Sequence, residues 1–198
     1  MRLRVKLISI LSLLILLICT YISSKENVTI TPLKSKVEFT DKHQPGVSVC
    51  IPAAYTGRDG EIEGQYRING NTYGSRSLKE CASIHPEKGL IISRDWMASN
   101  GFQQHVLIKN GKVRSFKDKR KFRRRALCND ESSPGSLMII ESTKRMTMNE
   151  FAEEVAKHTQ NAVNLDMGRW GYGWIGHKVL SFWTIFFKHW QTNWIVVK

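Results

Sequence analysis

Residues 161–174 read N-A-V-N-L-D-M-G-R-W-G-Y-G-W. The apolar run from Ala162 has the length of a strand, carries Asn164 inside it and ends on an acid, Asp166. A strand that only fills a core gains nothing from a carboxylate at its tip. The three glycines and two tryptophans that follow predict a loop that bends sharply or lets a ligand approach the backbone. We read this stretch as a strand over 162–166 that presents Asp166 at its C-terminal end, where loops gather functional groups.

Working outward, T-M-N-E at 147–150 has the spacing of a capping box, and Phe151, Ala152 and Val155 then share one face while Glu153, Glu154 and Lys157 share another. The pattern predicts a helix over 148–160. Strand signals fill the chain before it. Residues 61–68 alternate ahead of Asn69-Gly70, and residues 105–109 meet Asn110-Gly111 and then 112–116, so two hairpins are predicted. Short apolar runs at 46–54, 90–92, 125–128 and 136–141 add strands, the last two divided by Pro134-Gly135, and 179–183 and 193–197 read as closing strands. Lys188 and His189 interrupt the late apolar stretch, which argues against a second membrane span there.

The 198 residues fit one domain with enough apolar content for a core. Arg2, Arg4 and Lys6 precede an apolar run ending near Ile22, so residues 1–24 read as a signal peptide or an N-terminal membrane anchor. Ile18-Cys19 only loosely resembles a lipid-attachment site. Residues 25–45 are polar without a clear period and read as a linker, Asn27-Val28-Thr29 within them being a glycosylation sequon; the domain proper is 46–198. Export to a periplasmic or cell-envelope location is the expectation. Beyond the leader lie three cysteines, Cys50, Cys81 and Cys128, an odd number. Neither they nor the six histidines have metal-ligand spacing, so no metal site and no cofactor is expected.

The formal charge of +13 is concentrated. Residues 112–125, K-V-R-S-F-K-D-K-R-K-F-R-R-R, hold nine basic residues and one acid; with this strip at +8 and the leader at +3, the rest is left with +2. Such a strip suits an anionic glycan, nucleic acid or lipid head groups, or is a solvated loop between strands. It has few aromatics beyond Phe116 and Phe122, so nucleic acid is the least favoured partner.

The ordered set I-P-A-A-Y-T-G-R-D-G-E-I-E-G from Ile51, R-A-L-C-N-D from Arg125, M-T-M-N-E-F-A-E-E-V from Met146 and N-A-V-N-L-D-M-G from Asn161 resembles the phosphodiester glycosidase domain, found in the lysosomal uncovering enzyme and in exported bacterial proteins. The resemblance implies an α+β fold, with mixed, curved β-sheets flanked by helices. It also implies hydrolysis of a sugar-1-phosphodiester, with the substrate or a related glycan as partner and the membrane reached through the N-terminal segment. By the same resemblance Arg125 and Asp166 are the catalytic pair, with Asn164 and Gly168 at the substrate; Tyr55 is a further substrate-binding candidate of this chain. Met167 departs from the family's usual glycine, and residues 51–56 depart from its asparagine-glycine loop.

Those residues suit the chemistry. A guanidinium grips phosphate oxygens with a bidentate fork, and a carboxylate steadies the positive charge that grows on the sugar carbon. Trp170 and Trp174 are placed to stack on a sugar face. A silent glycan-binding protein of the same fold is the alternative, favoured by Met167, and an anionic-polymer binder acting through the basic strip is a distant third.

Overall fold

The computed structural model describes residues 26–57, 60–74, 78–167, 173–176, 178–179 and 193–198. In chain order the elements are β1 (Val28–Leu33), β2 (Val37–Thr40), β3 (Val49–Pro52), β4 (Tyr66–Ile68), β5 (Asn71–Tyr73), β6 (Cys81–His85), β7 (Gly89–Ser93), β8 (Gly101–Gln103), β9 (Val106–Lys109), β10 (Lys112–Val113), β11 (Arg125–Asn129), β12 (Leu137–Ser142), α1 (Met148–Val155), β13 (Ala162–Leu165), β14 (Trp174–Ile175), β15 (Lys178–Val179) and β16 (Trp194–Val197). They form three sheets: a six-stranded one ordered β1-β12-β11-β13-β9-β10 and two five-stranded ones, β15-β14-β3-β16-β2 and β5-β4-β8-β6-β7.

The expected α+β arrangement, mixed sheets flanked by helices, is overturned. Every strand pairing among the described residues is antiparallel, and those residues contain a single helix of eight residues. The fold is mostly β. Antiparallel neighbours are joined by tight turns and need no helical crossover. Asn69 and Asn110 supply the left-handed residues that such turns require, at φ 50° and 48°, each followed by a glycine.

The helix starts as the sequence predicts and stops early. Thr147 accepts from the Glu150 amide while the Glu150 carboxylate accepts from the Thr147 amide, completing the capping box. Ala156 is the C-cap, and the chain then turns: Gln160 N donates to Glu131 Oε1 and Thr159 Oγ1 donates to Asn161 O. Met148, Phe151, Ala152 and Val155 bury against Leu107, Ala126, Cys128 and Ile140 on one face of the six-stranded sheet. At about 1.5–3 kcal/mol per large apolar side chain, this burial outweighs the modest propensity of so short a helix.

The opposite face of that sheet, carrying Leu127, Ile139, Val163 and Leu165, meets the other two sheets through Phe39, Ile51, Ile84 and Phe102. Sheet packs on sheet where helices were expected.

Residues 25–45 are not a linker over their described length. β1 pairs with β12 through six residues and β2 pairs with β16 through four, with Val28, Leu33 and Phe39 buried. Both are edge strands with polar outer positions, so the alternation is sparse; Pro32 is tolerated because one side of β1 needs no partner. Cys50, Cys81 and Cys128 are all buried and none is in a disulfide. Burial pushes the Cys50 thiol up to about 11. Among the described residues no helix is long and apolar enough to cross a membrane. Residues 1–24, read from the sequence as a signal or anchor, lie outside the described residues.

Candidate functional site

β13 is a central strand, held between β11 and β9 with a bulge between Ala162 and Val163. Its register with β11 places Asn164 opposite Ala126 and Leu165 opposite Arg125. Alternation therefore puts Asn164 on the helix side and Leu165 on the side of the other sheets. The Asn164 amide donates to His105 O, and the Asp166 amide donates to Ala53 O at 2.8 Å. That last bond ties the end of β13 to the segment after β3.

The same segment is clamped from the C-terminal end of the chain. Asn193 is fully buried; its Oδ1 accepts from Ala54 N at 2.6 Å and its Nδ2 donates to Ala54 O at 3.1 Å. The clamp delivers Tyr55 to Asn164, whose Nδ2 donates to the tyrosine hydroxyl oxygen at 2.9 Å.

Around these residues lies a cleft of about 930 Å³. Tyr55, His105, Asn164 and Asp166 line it on the strand side, and Arg120, Phe122, Arg123 and Arg124 line it on the side of the arm entering β11. Asn164 is 1% exposed, and among the described residues its Oδ1 has no hydrogen-bond partner. Leaving a buried acceptor unmet costs about 1–3 kcal/mol, and such a group calls for an explanation. A ligand hydroxyl or amide donor at the cleft wall would supply one. A second hollow, of about 740 Å³ between the β1–β2 turn and the β6–β7 turn, contains no such orphaned atom among the described residues.

The electrostatics converge on the same place. Burial raises the Tyr55 pKa and the Asp166 charge raises it further, while Arg124 opposes both. Burial lowers the pKa of His105, against the pull of Glu63 and with the push of Arg124. Burial also lowers that of Arg124, whose Nε donates to Met146 O and whose Nη2 donates to Arg120 O. Among the described residues no carboxylate lies within 4 Å of the Arg124 guanidinium.

The residues singled out from the sequence separate. Tyr55, Asn164 and Asp166 meet in the cleft, and Met167 lines it too. Arg125 does not. Its Nε and Nη2 both bond Glu141 Oε1, at 3.1 and 2.8 Å, and its side chain is 2% exposed. Burial lowers its pKa, with Glu141 and then Asp166 acting to raise it, so Asp166 is near in charge although Arg125 lines no part of the cleft. Trp174 is also elsewhere: its Nε1 donates to Val47 O and its ring packs beside His43 and the Cys50–Trp194 cluster. Gly168 and Trp170 lie outside the described residues. Gly173 has a packing role, because a Cβ there would collide with the Cys50 carbonyl.

Arg124, His105 and the exposed Arg145 line the cleft although the sequence reading singled none of them out as a site residue. Alternation from Arg125 puts Arg124 on the other face, but only the strand register shows that this face also carries Asn164.

No protein-family model matches the chain, and no curated protein matches it. Among solved structures, the chain is similar to the catalytic domain of zebrafish N-acetylglucosamine-1-phosphodiester alpha-N-acetylglucosaminidase, auto-inhibited by its pro-peptide. The TM-score is 0.58 at 14% identity, over 79% of this chain and 75% of that one. The relation is one of fold, and distant. A hypothetical protein from Synechocystis aligns over 88% of this chain and 57% of its own, at 12% identity and a TM-score of 0.49.

Proposed function

We propose that the cleft hydrolyses a sugar-1-phosphodiester, acting after export and held near the membrane by the leader. The observation that carries this reading is the buried Asn164 with its unmet Oδ1, set in one cleft with the Asp166 carboxylate and the Arg124 guanidinium. The fold shared with the zebrafish domain supports it. Arg124 takes the phosphate-clamping role that the sequence suggested for Arg125, since its charge meets no carboxylate among the described residues. Asn164 and Tyr55 orient the sugar through a hydroxyl or acetamido donor facing Oδ1.

Water adds to the anomeric carbon as the bond from that carbon to the phosphate oxygen breaks. The phosphomonoester leaves with the bonding electrons, and one water proton must be taken up. Asp166 steadies the oxocarbenium-like transition state and accepts that proton. The leaving group is already a stable anion, so the site does not require a second carboxylic acid.

The test is release of free sugar from a panel of sugar-1-phosphodiesters, N-acetylglucosamine first. Asp166→Asn is expected to keep the fold and lose turnover by about a hundredfold or more, and Asn164→Ala to weaken substrate binding. Equal rates for wild type and Asp166→Asn, both above background, would reject the role of Asp166. Binding of the panel without turnover in either protein would favour the silent glycan binder, the reading to which Met167 at the cleft edge lends support.

A further inference from the structure

The cleft carries more positive charge than one phosphodiester uses. Among the described residues, Lys117, Arg120, Arg123, Arg124 and Arg145 line it against two carboxylates, Asp118 and Asp166, a surplus of three. The Arg120 side chain holds the Asp118 carboxyl down to about 2, so that pair is internally satisfied. A single phosphodiester brings one negative charge. Among the described residues no carboxylate lies within 4 Å of Lys117, Arg123, Arg124 or Arg145.

These cations are not on a loose loop. The arm before β11 is fastened at three points: Arg114 to Glu80 through both carboxylate oxygens, Phe116 N and O both to the Asn149 side chain, and Phe122 to Met146 by a reciprocal pair of backbone bonds. Holding like charges side by side on fixed backbone is unfavourable unless a ligand offsets it. Phe122, 45% exposed, carries the Arg120 and Arg124 guanidiniums over its ring at 5.6 and 5.2 Å, which gathers two of these charges at the cleft wall. The volume of about 930 Å³ is near the upper end of the roughly 300–1,000 Å³ that holds a drug-sized ligand, and exceeds what one sugar phosphate fills.

Resting on the hydrolase reading above, we propose that the substrate is a repeating glycosyl-phosphate chain, with at least one phosphate beyond the cleaved one bound by Lys117, Arg123 and Arg145. A concave charged trough fits a threaded polyanion, whereas an anionic membrane would need the same charges on a flat or convex face.

The probes are oligo(N-acetylglucosamine-1-phosphate) of one and four repeats, each capped at its terminal phosphate as the methyl ester so that the monomer is a phosphodiester, with binding measured on Asp166→Asn protein and turnover on wild type. Tetramer binding is expected to be at least about tenfold tighter than monomer binding. Its dependence on salt should be steeper, by roughly 0.7 in log–log slope for each further phosphate neutralised. Lys117→Gln with Arg145→Gln should bring the tetramer-over-monomer ratio toward one; the salt series on wild-type side chains tests the same point without relying on that variant. Equal affinity and equal salt slope for the two probes would overturn the inference while leaving the hydrolase reading intact if the monomer is turned over. Tetramer-selective binding with no turnover of either probe would support the polyanion trough and overturn the hydrolase reading. Equally tight binding of a phosphate-matched single-stranded oligonucleotide, or binding confined to anionic lipid vesicles, would overturn the glycosyl-phosphate assignment.

Discussion

Arg124 and Arg125 are consecutive residues that serve opposite faces of one sheet: the Arg124 guanidinium lines the cleft with Asn164, and that of Arg125 is buried against Glu141 beneath the other two sheets. Strand alternation separates two identical side chains into one that lines the cleft and one held in the interior.

Their substitutions should therefore fail in different ways. Arg124→Gln is expected to lower sugar-1-phosphodiester turnover by about a hundredfold or more with a small change in stability. Arg125→Gln leaves Glu141 with only the 3.7 Å contact to the exposed Lys178 and should cost up to about 3–5 kcal/mol, the usual penalty for removing one partner of a buried pair. Urea unfolding monitored beside activity separates the two; a similar loss of stability in both variants would contradict the assignment.

The lowered pKa of His105 predicts a pH dependence of stability. The unfolded chain takes up the imidazole proton near 6.5, and the folded chain does so only at lower pH because burial disfavours the charged ring. The contribution is fully present above pH 6.5 and is lost as pH falls from there through the folded-state value. His105→Gln should flatten that part of the profile. Unfolding midpoints measured for both proteins across this range check it, and parallel curves would show that another group is responsible.

β1 makes a further prediction. A chain beginning at Lys34 lacks the edge strand that covers β12 and loses the burial of Val28 and Leu33, each about 1.5–3 kcal/mol. It should unfold at markedly lower urea than a chain beginning at Lys25. Equal midpoints would restore the linker reading of this segment.

The local signals that survive into the structure are those that need no partner to be read. The capping box at Thr147 and Glu150 and the Asn-Gly turns are set by nearest-neighbour chemistry and appear where the sequence indicated, and the strand expected over 162–166 appears as Ala162–Leu165 with Asp166 just past its end. What escaped the sequence depends on pairing across the chain. β1 and β2 have too few apolar positions to announce themselves and become strands because β12 and β16 lie waiting beside them. The choice between Arg124 and Arg125 likewise depends on which face of β11 meets Asn164, a matter of register. Helices flanking the sheets were expected because a resemblance in motif order says nothing of what covers each face.

The Asn193 clamp on Ala54 joins residues 139 positions apart, and β16, which follows it, pairs with both β2 and β3. Contacts of such sequence separation form late because the loop they close must first be ordered. A chain emerging N-terminus first from a ribosome thus presents most of its strand segments before Asn193 can fix Tyr55 against Asn164. The cleft geometry is in this sense timed by synthesis: the cations of the arm are made early, but the Asn193 clamp that positions Tyr55 follows them in the chain.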